Sequence, residues 1–191
     1  METTPTKYST HERFPSYSLR GYKHFKEMSE ETLCFHTTLL RDGKEVATIK
    51  NEGHGGCDSE YFDSKEERER YAEAAKALPP WKYEGKEYEQ GTEGLTMHLI
   101  AEYEAYKSAE KYFTFYTPEN GIQKFGQVML GRKKMRKDDP RLATRHFWDS
   151  FFKNEEEVVL VGMGAWVPEL ILAEGKEIPM RECLILPPCL D

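Results

Sequence analysis

The sequence predicts an α+β fold: a single compact domain in which an antiparallel sheet made of hairpins is packed by about three helices. Three observations carry this. Asp42-Gly43 and Asn120-Gly121 each separate two runs rich in β-branched and aromatic residues, which is the chemistry of tight hairpins. Ser64-x-x-Glu67 and Thr92 open segments whose apolar residues recur with helical spacing. No repeat and no proline-rich or glycine-rich linker divides the chain, and 191 residues with 38% hydrophobic content can bury a core unaided.

In chain order, residues 1–26 carry Pro5 and Pro15 amid Thr, Ser and Tyr and read as an N-terminal arm laid over the domain or as a partly disordered tail, ahead of a domain at 27–191. Glu31–Leu40 and Glu45–Lys50 read as the first two strands. With Asp42-Gly43 as a two-residue loop, Leu39 faces Val46, Thr37 faces Thr48 and Cys34 faces Asn51. Ile49 then faces His36 and neither face is purely apolar, so the pairing calls for a bulge or a longer loop. A glycine-rich loop, Asn51 to Asp58, follows. Ser64 to about Leu78 reads as a helix buried through Tyr71, Ala74, Ala75 and Leu78, and Trp81 to Gly91 as a polar connection dotted with aromatics. The second helix, capped by Thr92, carries the stripe Leu95, Leu99, Tyr103 and Tyr106, widened by Met97 and Ile100. A second hairpin spans Tyr112 to Leu130 and the basic stretch 132–137 reads as a loop. Asp139-Pro140 opens a third helix reaching Asn154. Strands are expected at 157–163 and 182–186, and a strand or helical turn at 166–173.

Charge is unevenly spread. The chain carries 27 Lys and Arg against 34 Asp and Glu, a net charge of −7. Residues 52–110 hold fifteen acidic and seven basic side chains, whereas 120–154 hold nine basic and three acidic ones. An acidic balance disfavours general adhesion to nucleic acid or anionic lipid. A mean hydropathy of −0.76 and the lack of a long apolar run speak against a membrane protein. The first residues lack the charged start and apolar run of a secretory signal, so a cytoplasmic location is expected, with Cys34, Cys57, Cys183 and Cys189 as reduced thiols.

Four constellations bear on function. Cys34-x-His36 on a strand and His54-x-x-Cys57 on the loop leaving its partner supply two thiols and two imidazoles, a set that suits tetrahedral zinc. Against this stand an irregular spacing and the frequency of buried Cys in any such domain. His36-Thr37-Thr38 contains the His-x-Thr unit that two-histidine phosphoesterases use twice, here in one copy, because His98 and His146 have no hydroxyl two residues on. Asn51, Gly53, His54, Gly55 and Gly56 form a loop able to turn backbone N–H groups toward a phosphate or a partner, or simply to shape the exit from the hairpin. Arg132, Lys133, Lys134, Arg136, Lys137, Arg141 and Arg145 form a basic patch that fits a nucleic acid or an acidic protein surface, or a solvated face answered by Asp138 and Asp139.

The run Asp42-Gly43-Lys44 through Asn51-x-Gly53-x-Gly55-Gly56, with Tyr61-Phe62 after it, resembles a segment of small uncharacterised proteins of bacteria, phages and mobile elements. The resemblance covers about a sixth of the chain. It implies a strand-turn-strand-glycine-loop unit and, for a phage-borne chain, a host-interaction role, with no catalytic residues to carry over. The expected function is therefore a soluble binding module with a protein partner, such as a mobile-element factor engaging a host protein, working without a cofactor. The alternatives are a zinc-supported or phosphate-handling enzyme built on Cys34, His36, His54 and Cys57, and nucleic-acid binding through 132–145. Oligomeric state is left open.

Overall fold

The computed structural model describes residues 17–109, 111–119, 122–144, 146–147, 150 and 159–161. The fold is α+β, with antiparallel sheets and two α-helices described over their whole length. The chain divides into two compact units, passing from one to the other within the second α-helix, after Tyr103.

The first unit is built on a four-stranded antiparallel sheet: β1 (Tyr17–His24), β2 (Phe35–Arg41), β3 (Lys44–Asn51) and β4 (Ser59–Phe62), in that spatial order. Asp42 (φ 52°) and Gly43 (φ 76°) both take the left-handed conformation that a tight two-residue hairpin turn needs. The register at the turn is the expected one, Arg41 opposite Lys44 and Leu40 opposite Glu45, but Leu39 then faces Ala47. Val46 is the extra residue of a bulge. The slip places Ile49 opposite Thr37 and Asn51 opposite Phe35, so Phe35, Thr37, Leu39, Val46, Ala47 and Ile49 are all buried. This replaces the straight register of Leu39 on Val46 and Thr37 on Thr48, in which Ile49 and His36 conflict. Residues 17–24 are a strand of this sheet and not part of an arm. Tyr17 and Leu19 are buried in its core.

Helix α1 (Lys65–Lys76) starts as its capping sequence predicts: Ser64 Oγ accepts the Glu67 N–H at 3.2 Å. The Glu67 carboxylate grips the Arg41 guanidinium in a two-point ion pair with both contacts at 2.7 Å, tying α1 to the end of β2. That pairing holds the Glu67 carboxyl below its ordinary range. Tyr71, Ala75 and Leu78 are buried and Ala74 is partly so. Next, the segment expected as a plain connection forms a small hairpin, β5 (Trp81–Tyr83) and β6 (Lys86–Tyr88), turned at Glu84 (φ 49°) and Gly85 (φ 76°). Helix α2 (Thr92–Ala109) buries Leu95, Leu99 and Ile100 as its periodicity requires. Met97 does not widen that stripe; it is exposed, and Thr96 is buried because its hydroxyl finds the Tyr71 hydroxyl at 3.0 Å.

The second unit contains the hairpin β7 (Thr114–Glu119) and β8 (Ile122–Gln127), with β11 (Val159–Val161) on the other edge of β7. Gly126 lies opposite Phe115, whose ring occupies the space a side chain there would need. The basic stretch is a minimal hairpin, β9 (Met129–Leu130) and β10 (Lys133–Lys134), rather than a loop, and Met135 within it is fully buried. The Phe113 N–H donates to the Met135 carbonyl, and the Phe113 ring meets Phe147 edge-on at 5.7 Å. Asp139 caps a short 3₁₀ turn, Pro140–Ala143, which ends at the extended Thr144, so no continuous helix runs from Pro140. His146, Phe147 and Ser150 are helical. Residues 166–173 and 182–186 lie outside the described residues, as do Arg145, Cys183 and Cys189. Among the described residues no helix is long and apolar enough to cross a membrane.

Candidate functional site

The glycine segment is bound to its own chain. The Gly53 carbonyl accepts the N–H groups of Glu30, Glu31 and Thr32, at 3.0, 3.0 and 3.3 Å. Its own N–H donates to Asn51 Oδ1, and the Gly55 N–H donates to Thr32 Oγ1. The side chain of Asn51 is saturated: Oδ1 also accepts the Thr32 hydroxyl at 2.8 Å, while Nδ2 donates to the Gly56 carbonyl and to Asp58 Oδ1 at 3.0 Å. The Gly53 amide is thus spent on Asn51 and the Gly55 amide on Thr32, and the Gly53 carbonyl holds residues 30–32 against the loop, the arrangement of a segment that shapes the exit from the hairpin. The segment is a clasp. Its exit fixes Asp58.

Asp58 opens a cavity of about 750 Å³ within the first unit. Cys57, Asp58 and Glu60 enter from the start of β4. Trp81 enters from β5, and Glu89 to Gly94 from the start of α2. Four lining residues are carboxylates, and no Lys, Arg or His stands among the described lining residues. Glu93 Oε1 accepts the Asp58 backbone N–H at 2.9 Å, which ties the two walls together. Glu60 Oε1 is enclosed and has no hydrogen-bond partner. Burial pushes the Asp58 and Glu60 carboxyls up, against the pull of the Asn51 hydrogen bond on Asp58 and of Thr92 and Arg68 on Glu60, and the negative charge of Glu93 adds to the rise. Glu93 also holds the Cys57 thiol above its ordinary value, so the thiolate is disfavoured. Beside the cavity Trp81, Tyr83 and Tyr88 are 52%, 54% and 41% exposed, with the Tyr88 and Tyr83 rings 5.3 and 5.8 Å from the Trp81 ring.

Comparison with family models, curated proteins and solved structures found no match.

The Cys and His residues singled out in the sequence are placed apart in environment. Cys34 is buried against Gly53, while His36 is exposed on the sheet between Lys23 and Lys50, its partners across the two strand pairs. Flanking lysines oppose a dication. His54 Nδ1 lies 3.1 Å from a Glu30 carboxylate oxygen, and exposed Cys57 belongs to the acidic cavity. Among the described residues no group of three or more His, Cys, Asp or Glu gathers to hold a metal. In the second unit Arg136 forks onto Asp138 and Arg141 onto Asp139, each with two contacts of 2.8–2.9 Å. Those pairs draw both aspartates below their ordinary range, Asp139 to about 2. Lys134 lies over the Tyr112 ring at 5.6 Å, and Arg132, Lys133 and Lys137 are exposed.

Sequence reasoning missed Trp81, Glu60, Glu89 and Glu93 as a set. The available signal was the alternation Trp81, Tyr83 and Lys86, Tyr88 around Glu84-Gly85, together with the acidic density of 52–110. The strain of the cavity is measurable. Because the folded state raises the Glu60 pKa, its ionised form opposes folding near neutral pH, and the penalty fades as pH falls through the raised value and is gone below the ordinary carboxyl range. Glu60→Gln is therefore expected to raise the urea midpoint at about pH 7 and to leave it unchanged at about pH 3, where the carboxyl is neutral in both states. An equal gain at both pH values contradicts the electrostatic origin.

Proposed function

We propose that the chain is an interaction module that engages another protein through the Trp81 cavity and the aromatic hairpin beside it. One observation carries this: four carboxylates, with no Lys, Arg or His among the described lining residues, and three exposed aromatic rings adjoin on one surface of the first unit. Exposed aromatic clusters of this kind favour contact with a partner over hydration. The lining supports binding better than turnover, since its thiol is held protonated by Glu93 and its carboxylates are anchored by Asn51 and the Asp58 amide. Affinity capture from cells that carry the protein tests the reading, with wild type compared to Trp81→Ala and Tyr88→Ala. Both side chains are exposed, so the variants should fold normally. A protein retained by the wild type and lost from both variants is the expected result. Identical capture by all three, or steady turnover of a substrate lost in a cavity variant, removes the reading.

A further inference from the structure

Resting on that reading, we infer that the occupant of the cavity is an arginine or lysine side chain, carried by a segment of the partner whose apolar neighbours lie on the aromatic face of β5 and β6. The hairpin register sets that face. Trp81 and Tyr83 alternate on one strand and Tyr88 lies directly opposite Trp81, so all three rings project from the same side. Trp81 also walls the cavity, which makes the aromatic face and the carboxylate set one continuous surface.

Charge decides the occupant. Asp58, Glu60, Glu89 and Glu93 line the cavity with no cation among the described lining residues. A guanidinium or ammonium group supplies both the charge and the N–H groups, and an indole face is the aromatic surface that attracts a cation best. A neutral sugar would stack on Trp81 and leave the carboxylates uncompensated. The same negative field repels a nucleic acid. A free polyamine would answer the carboxylates but leave Tyr83 and Tyr88 uncovered.

The test titrates the full chain with a short synthetic peptide carrying one arginine between leucines. The same peptide with citrulline, spermidine and a neutral oligosaccharide are run in parallel. Calorimetry gives affinity, and tryptophan fluorescence, compared with Trp81→Phe, locates the contact. The arginine peptide is expected to bind, more weakly as salt rises. Replacing arginine by citrulline should cost at least about tenfold in affinity, as should Trp81→Ala or Glu93→Gln, with circular dichroism unchanged. Trp81→Phe should keep most of the binding. Failure of the arginine peptide to bind, equal binding of the citrulline peptide, spermidine or the sugar at the strength of the arginine peptide, or an indifferent Trp81→Ala overturns the inference. If the arginine peptide fails while a partner protein is still captured in a Trp81-dependent way, the inference falls and the module stands. If capture is also indifferent to Trp81, both fall.

Discussion

Replacing Gly53 by alanine is expected to remove about 4 kcal/mol of folding stability, at the upper end of single-residue effects. Two costs combine. Gly53 sits at φ +87°, where a side chain costs roughly 1–2 kcal/mol. The added Cβ also lands on the Met28 carbonyl oxygen and within 2.8 Å of Cys34 Cβ. Those neighbours are backbone and a buried side chain, so relief means displacing the loop whose carbonyl accepts three N–H groups. Gly56 supplies the control. Its φ of +92° carries the same backbone penalty, but nothing lies within 4 Å of the position of its Cβ. Gly56→Ala should therefore cost only about 1–2 kcal/mol. Urea denaturation of both variants at equal m-value checks the difference. Equal losses would show that conformation alone requires Gly53 and that the clasp contributes nothing. Because Asn51 ties the clasp to Asp58, Gly53→Ala is also expected to weaken binding at the cavity more than Gly56→Ala does.

The glycines were legible in the sequence as a place of unusual backbone, and their partner was not. The segment that holds the Gly53 carbonyl, Glu30 to Thr32, is polar and its latter part reads as the start of a strand that in fact begins at Phe35, and only the folded sheet brings it alongside. The bulge at Val46 was legible for a physical reason: a straight register sets Ile49 against His36, and one inserted residue resolves the conflict. Strand β1 was hidden because Arg20, Gly21 and Lys23 blunt its alternation, and its pairing shifts between Arg20 and Lys23, with Gly21 at φ 65°. Glu84-Gly85 escaped notice because glutamate seldom takes positive φ, whereas Asp42-Gly43 uses a residue that does so readily. The cavity was the least legible feature. Asp58 and Glu93 lie 35 residues apart, and their meeting depends on β4 and the start of α2 arriving together.

Tyr71→Ala is expected to cost about 3–5 kcal/mol, enough to consume much of the stability of a domain this size. Tyr71 is fully buried on α1 between both edges of the sheet. Its ring meets Tyr17 of β1 edge-on at 5.1 Å and Phe62 of β4 at 5.6 Å, and its hydroxyl reaches Thr96 of α2 at 3.0 Å. One side chain thus joins two strands and two helices. The hydroxyl can be separated from the ring. Tyr71→Phe keeps the packing but leaves the buried Thr96 hydroxyl without that partner, and Thr96→Val does the converse; each should cost about 1–2 kcal/mol. The double variant Tyr71→Phe with Thr96→Val leaves neither group orphaned. Its loss should fall short of the sum of the single losses by about 1 kcal/mol. Strict additivity in thermal or urea unfolding would mean that the two hydroxyls do not satisfy each other, and the burial of Thr96 would then need another reason.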